Sequence, residues 1–253
     1  REGVRSALDR DGVECEPTRF APEGLVITSG NPLRAPLDGT FFVQDEASQI
    51  VPLALGALPG ERVLDLCASP GGKATAILAA MGDTGTLVAC DVRPRRDAHL
   101  RETLRLSGAR HTRIAQVPLS GPLPFAGVFD RVLVDAPCSG LGTIRRDPDI
   151  RWRRVESELP VLAGDQRRLL ARAAAVVKPG GRLVYATCSS EPEENEDVVA
   201  AFLAETEDFA LVDLREDAAG VPGELLDARG LLRTLPFEHE LEAFFAAVLV
   251  RHR

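Results

Sequence analysis

The sequence predicts an α/β fold, a doubly wound and mostly parallel sheet with helices on both faces, behind a small N-terminal α+β segment. Three observations carry this. From Thr40 onward, short β-rich runs alternate with longer amphipathic stretches, the order that puts helices on both faces of a parallel sheet. The loops that follow the strand candidates hold glycine, proline and single acids, as ligand-binding strand ends do. The length of 253 residues, 45% of them apolar, suits one such domain with an appendage and excludes wholesale disorder.

Residues 1–39 differ from the rest. Val4 to Leu8 reads as a short helix and Gly24 to Thr28 as a short apolar run among Gly and Pro. With Arg1 in place of Met, we read 1–39 as the end of a small module cut from a longer protein, and 40–253 as the main domain. In chain order that domain reads as helix Ala47–Leu55, strand Arg62–Cys67, helix Gly72–Met81 and strand Thr86–Cys90. Helix Pro94–Ser107 follows, with Pro94 at the first helical position where a missing N–H costs nothing. Then come strands Thr112–Gln116 and Arg131–Asp135, helix Ser157–Val177, strand Arg182–Ala186, helix Pro192–Glu205, and strands Ala210–Leu214 and Phe244–Val250. There is no internal repeat.

No apolar run reaches the roughly 18 residues of a membrane span, and no basic-then-apolar leader opens the chain, so a soluble cytoplasmic protein without membrane contact is expected. A net charge of −8 argues at first against nucleic acid, but eleven of the acids fall between Glu191 and Asp217 with only Arg215 among them. Elsewhere Arg93 to Arg113 holds seven arginines and Arg145 to Arg154 holds five. A polyanion responds to local fields within a Debye length of roughly 8 Å, so global acidity is no veto; each run also fits an ordinary solvated helix face. The acids are read as one outer face. Five cysteines (Cys15, Cys67, Cys90, Cys138, Cys188) with no CxxC pair fit neither a disulfide framework nor a zinc site, and no metal is expected.

The loops after the strands carry the chemistry. Leu64-Asp65-Leu66-Cys67-Ala68-Ser69-Pro70-Gly71-Gly72-Lys73 leaves an apolar strand and turns into a helix, so a ligand can approach bare amides at a helix N-terminus. It is not a G-x-G-x-x-G fingerprint, nor a Walker A loop, which needs Gly at Cys67 and Ser or Thr at Ala74. The next strand delivers Asp91, placed either to accept from a ribose diol or to cap a helix. Phe129 to Gly140 brings Asp135 and Cys138 to a strand end with Pro137 between them, and Leu183 to Ser189 ends a second strand in Cys188. Two thiols at adjoining strand ends beside a nucleoside loop are hard to explain as packing.

These loops, with Arg145-Arg146-Asp147-Pro148-Asp149-Ile150-Arg151-Trp152 and Ala186-Thr187-Cys188-Ser189, resemble the RsmB/Sun (Fmu) family of S-adenosylmethionine-dependent RNA cytosine-5 methyltransferases. The resemblance runs from about Phe42 to the C-terminus, where Arg233-Thr234-Leu235-Pro236 and Phe244-Phe245 look like the family's closing motif. It implies a Rossmann-like class I methyltransferase fold. Residues 1–39 look like the tail of the small RNA-binding module that precedes such catalytic domains.

The resemblance also implies a mechanism. Carbon 5 of cytosine is a poor nucleophile, so a thiolate first adds to carbon 6, and acid–base help later removes the carbon 5 proton and the thiol. The family pattern assigns attack to Cys188 and release to Cys138, with Asp135 at the N3 edge of the base and Lys73 facing that acid. A Lys in a first helical turn opposes the helix dipole, which makes a purely solvated Lys73 unattractive. S-adenosylmethionine would lie across Cys67, Ala68, Ser69, Pro70, Gly71, Gly72 and Lys73, with Asp91 at its ribose and Asp135 nearby. Two features depart from the family. No acid lies between Arg113 and Asp130 for the adenine amino group, which leaves the Gln116 side-chain oxygen or a backbone carbonyl to substitute, and Glu242-Ala243 stands where Asp-Gly is usual.

The five arginines from Arg145 to Arg154 are expected to contact phosphates, and Trp152, the only Trp, is expected to pack rather than stack. A structured-RNA cytosine must also swing out of its stack to expose carbon 6. By the resemblance the partner is ribosomal RNA first and transfer RNA second, bound by a monomer. A methyltransferase for a non-RNA acceptor and a noncatalytic RNA-binding relative are the alternatives.

Overall fold

The computed structural model describes residues 1–35, 40–91, 96–118, 120–125 and 128–252. The chain opens with α1 (Glu2–Arg10) and an antiparallel pair, β1 (Glu14–Pro17) and β2 (Leu25–Ser29), which bury a small cluster of Leu8, Val13 and Cys15. Phe20 and Ala21 already belong to the main core, and their N–H groups donate to Glu46 Oε1.

The main sheet is built from β3 (Arg62–Asp65), β4 (Thr86–Asp91), β5 (Thr112–Gln116), β6 (Phe129–Asp135), β7 (Val177–Thr187), β8 (Phe209–Leu211), β9 (Leu232–Thr234) and β10 (Phe244–Arg251). Its order is β5-β4-β3-β6-β7-β10-β8, with β9 pairing β10. From β5 to β7 every pairing is parallel; β10 runs antiparallel to β7, β8 and β9.

Strand side chains alternate between two layers, as a period of two requires. Val63, Leu133, Val184, Ala186, Ala246 and Val248 pack under α2 (Glu46–Leu55), α3 (Gly72–Ala80) and α4 (Asp97–Leu106). Leu64, Val132, Val134, Leu183, Tyr185, Phe245 and Ala247 face the opposite way. A short α5 (Ile150–Arg153) leads to that second layer, α6 (Leu159–Ala174) and α7 (Glu196–Glu205); α8 (Pro236–His239) is a single turn before β10. The doubly wound, mostly parallel sheet expected from the sequence is therefore present. Strand order reverses between β3 and β6, and the crevice at that switch point is where such folds bind ligands.

Several element ends shift, for physical reasons. The strand expected to reach Cys67 stops at Asp65, because the chain turns at Leu66 and Cys67 toward the glycine loop. The helix expected from Pro192 breaks at Asn195 (φ −115°, ψ −98°), so only Glu196–Glu205 is α-helical. Helix Ser157–Val177 is shorter because Val177 already pairs with Phe129 in the sheet. Helix Pro94–Ser107 is seen as Asp97–Leu106; Arg93, Pro94 and Arg95 lie outside the described residues, as do 36–39 of the N-terminal segment. No helix among the described residues is long and apolar enough to cross a membrane.

Candidate active site

The loop from Cys67 to Lys73 joins the C-terminal end of β3 to α3. Ala68 N–H donates to the carbonyl of Cys90 at 2.8 Å, tying it to β4, and Ser69 Oγ donates to the carbonyl of Arg96. Gly71 sits at φ +116°, where a Cβ would lie 2.8 Å from Thr103 Cγ2, so this turn admits only glycine. Asp91 ends β4 and is buried. The loop thus holds Cys67 to Gly72 and Asp91 on one side of the switch-point crevice.

Lys73, in the first turn of α3, reaches across the crevice to Asp135 at the end of β6, with Nζ 2.7 Å from Oδ2 and Phe244's ring 5.3 Å from Nζ. The parallel β6–β7 pairing sets Asp135 opposite Ala186, and Ala136 N–H donates to the carbonyl of Ala186. The residues just beyond these strand ends, Cys138 and Cys188, are thereby brought together with Sγ atoms 3.2 Å apart, both as free thiols. The two sulfurs differ in environment. A hydrogen bond from the Cys138 thiol lowers the pKa of Cys188 below its ordinary value; burial and Asp135 oppose this, and the Lys73 ammonium assists it. Cys138, whose hydrogen goes to Cys188 and which is desolvated near Glu194, is pushed well up. Burial likewise pushes up Cys67 and takes Cys90 to about 12, so neither is a thiolate near neutrality. The arrangement holds one activated sulfur beside one protonated sulfur.

A buried carboxylate ties the two cysteine loops together. Glu194, with no exposed surface, accepts from Ser139 N–H (2.8 Å), Ser139 Oγ (2.5 Å), Ser189 Oγ (2.6 Å) and Gln166 Nε2 (2.9 Å). Its own carbonyl accepts from Tyr185 Oη, while Gln166 Nε2 also donates to the carbonyl of Pro137. Asn195 Nδ2 donates to the carbonyl of Ser189. From the other side Gly142 N–H donates to the carbonyl of Cys188 and Ala243 N–H to that of Gly142. A Cβ on Gly142 would stand 2.1 Å from Ala243 O, so three strand-end loops meet at a point with no room for a side chain. Among the described residues no group of His, Cys, Asp and Glu is placed to hold a metal ion.

Residues 52–250 match the model of the 16S rRNA methyltransferase RsmB/F family. The chain belongs to that family. It is similar to ribosomal RNA small subunit methyltransferase B of Salmonella typhi, 37% identical over 99% of this chain, and spans 57% of that relative's length. A probable ribosomal RNA small subunit methyltransferase B of Synechocystis is 37% identical over 84% of this chain and 48% of its own. Among solved structures, a methyltransferase homolog protein from Pyrococcus horikoshii superposes with a TM-score of 0.81 at 31% identity, covering 99% of this chain and 82% of that one.

The RsmB/F chain departs from its sequence reading at three places. Trp152 does not pack: it is 81% exposed, because in the one-turn α5 it is Ile150 that points into the protein and Trp152 lies on the other side. The acids after Cys188 are not one outer face. Glu194 is interior, and Glu196, Asp208 and Asp217 pair with Arg229 and Arg233, Arg251, and Arg182. The arginines from Arg145 to Arg154 are also partly committed. Arg154 Nε donates to the carbonyl of Ser139, Arg145 to that of Glu240, and Arg146 pairs with Glu242 at 3.5 Å. In the other run, Arg101 and Arg105 pair with Asp97 and Glu102 on the exposed face of α4, an ordinary solvated surface.

Sequence reasoning missed Glu194, Gln166, Asp65 and the burial of Glu242 in this RsmB/F site. Glu242 is 2% exposed, and burial and Asp45 push its carboxyl up against Arg146 and Arg145. The serines directly after each cysteine, Ser139 and Ser189, were the available clue to a shared acceptor.

Proposed function

We propose that this chain methylates carbon 5 of a cytosine in RNA, taking the methyl group from S-adenosylmethionine through a covalent adduct between Cys188 and carbon 6. The observation that carries this reading is the pair of thiols 3.2 Å apart beside the Lys73–Asp135 pair, where Cys188 is held below its ordinary pKa while Cys67, Cys90 and Cys138 are pushed up. Direct methylation of nitrogen or oxygen needs no thiol, which weighs against another acceptor class. The names of the curated relatives favour ribosomal RNA as the substrate.

The residues present fit a cationic cofactor. Asp65, wholly buried at the end of β3, has no side-chain donor on either oxygen among the described residues, and the Cys67 N–H nearby only partly offsets its burial. Burial first, and Asp135 next, raise its pKa from 3.8 to about 8 against the pull of Lys73. A buried carboxylate so short of donors, at the strand end that leads into the glycine loop, suits a ligand carrying positive charge. S-adenosylmethionine supplies that charge and an electrophilic methyl group. Cys67 to Lys73 and Asp91 are the residues that would hold it.

The chain's own groups then act in order. Lys73 fixes Asp135 at the N3 edge of the cytosine, and the Cys188 thiolate adds to carbon 6, leaving an electron-rich carbon 5 that accepts the methyl. The carbon 5 proton passes to water in the cleft, its C–H electron pair restores the 5,6 double bond, and the carbon–sulfur bond breaks with Cys188 leaving as thiolate. Cys138, the protonated partner in contact with that sulfur, assists the release. We read residues 1–39 as the end of an RNA-binding-type module and 40–253 as the catalytic domain; the separate Leu8, Val13 and Cys15 cluster supports that division.

Two outcomes are expected. With tritiated S-adenosylmethionine and 16S rRNA, the wild-type chain transfers label to cytosine carbon 5 and Cys188→Ala transfers none; full activity in that variant would sink the mechanism. Asp65 gives a pH signature. A folded pKa raised to about 8 means its stability contribution is complete below 3.8 and is lost as pH rises through 8. Asp65→Asn should therefore melt higher than wild type, by an amount that grows from pH 4 to 8, while binding S-adenosylmethionine about tenfold or more weakly. Cofactor binding by wild type at pH 7 should release close to one proton, measurable by calorimetry in buffers of different ionisation enthalpy, and Asp65→Asn should release none. Equal proton release in both would contradict this role.

A further inference from the structure

The geometry points to Trp152 as a stacking platform for an unpaired RNA base neighbouring the cytosine in the cleft. This rests on the proposed function and adds a base-reading residue to it. Trp152 is the only tryptophan of the chain, and an 81% exposed indole contributes little to the core. Only Ile150 of α5 is buried, so folding alone gives no reason for the large ring at 152.

Its setting is one of positive charge. Arg151 places its guanidinium 5.7 Å from the ring centroid on one flank. Arg145, Arg146 and Arg153 follow the same segment with side chains 58%, 61% and 61% exposed, so each retains a solvated face toward a polyanion after its pairing with an acid. Exposed indole among guanidinium groups is the combination with which proteins hold single-stranded nucleic acid, the ring taking a base and the cations the backbone. A protein partner would favour an apolar surround instead.

The platform is also held in register with the chemistry. Ahead of it, Arg145 donates to the carbonyl of Glu240 at 2.8 Å and Arg146 pairs with Glu242, just before β10. Behind it, Arg154 donates at 2.8 Å to the carbonyl of Ser139, the residue after Cys138. Trp152 lies two residues from that anchor, at most about 7 Å along the chain. A segment pinned at both ends to the catalytic loops presents its ring at a fixed distance from the thiols, which is what reading a neighbouring base requires.

Because Trp152 is the sole indole, its emission reports on this contact directly. The full chain is titrated with a short single-stranded oligoribonucleotide containing one cytosine, and methyl transfer to the same oligonucleotide is measured in parallel. We expect saturable quenching. Trp152→Ala should weaken RNA binding and raise KM for RNA by about 5- to 100-fold with kcat at saturation unchanged, while Trp152→Phe stays within about threefold of wild type. Methyl transfer without quenching, or an unchanged KM in Trp152→Ala, overturns the stacking role and leaves the reaction standing. Quenching without transfer leaves the stacking role and overturns the reaction. Absence of RNA binding by the wild-type chain overturns both.

Discussion

Cys138→Ala is expected to stall with RNA covalently attached, giving an adduct that survives denaturing electrophoresis, while turnover falls by about 10³-fold or more. The reasoning lies in the asymmetry of the two sulfurs. Cys188 has the lowered pKa, and one of the groups lowering it, Lys73, remains in the variant. Attack therefore slows but continues. Release depends on the protonated thiol 3.2 Å away, and alanine offers no hydrogen there. Cys138→Ala combined with Cys188→Ala should give no adduct, which places the bond on Cys188. Normal turnover by Cys138→Ala would show that release uses another group.

Glu194→Ala is expected to lower stability by about 3–5 kcal/mol and the melting temperature by roughly 10 °C. One carboxylate receives four hydrogen bonds, from Ser139 N–H, Ser139 Oγ, Ser189 Oγ and Gln166 Nε2, at a point with no exposed surface. Removing it strands those donors where water does not reach. Glu194→Gln keeps the shape but replaces an acceptor by a donor that faces donors, so an intermediate loss is expected. Since Ser139 and Ser189 adjoin Cys138 and Cys188, both variants should also separate the thiols and reduce the reactivity of Cys188 toward iodoacetamide at neutral pH. Circular-dichroism melts within about 2 °C of wild type would show that the cysteine loops do not depend on Glu194.

The sequence made the sheet legible because its strands are apolar, short and punctuated: Thr112–Gln116 is seen at its expected bounds, and Phe244–Val250 extends by one residue to Arg251. The strand expected at Ala210–Leu214 is instead Phe209–Leu211, since Asp213 Oδ1 accepts from Arg215 N–H and begins a turn. The loops carrying Lys73, Asp135, Cys138 and Cys188 were visible as strand-end motifs, and the structure brings those four side chains together. Glu194 was hidden for a physical reason. Its burial depends on Ser139, which is 55 residues away in sequence, while its neighbours are acids that look like a solvated face. Trp152 was misread for a similar reason, because an aromatic beside Ile150 has no local mark of which one turns inward.

The central claim is covalent attack by Cys188, and 5-fluorocytidine tests it most directly, because fluorine at carbon 5 cannot leave as a proton and the adduct cannot resolve. Wild-type protein would be incubated with S-adenosylmethionine and RNA carrying 5-fluorocytidine at the target, digested, and mapped by mass spectrometry. The predicted result is a methylated fluorocytidine nucleotide on the peptide containing Cys188, and none on that containing Cys138. An adduct at Cys138, or the absence of any adduct from protein that methylates the unmodified RNA, would contradict the account.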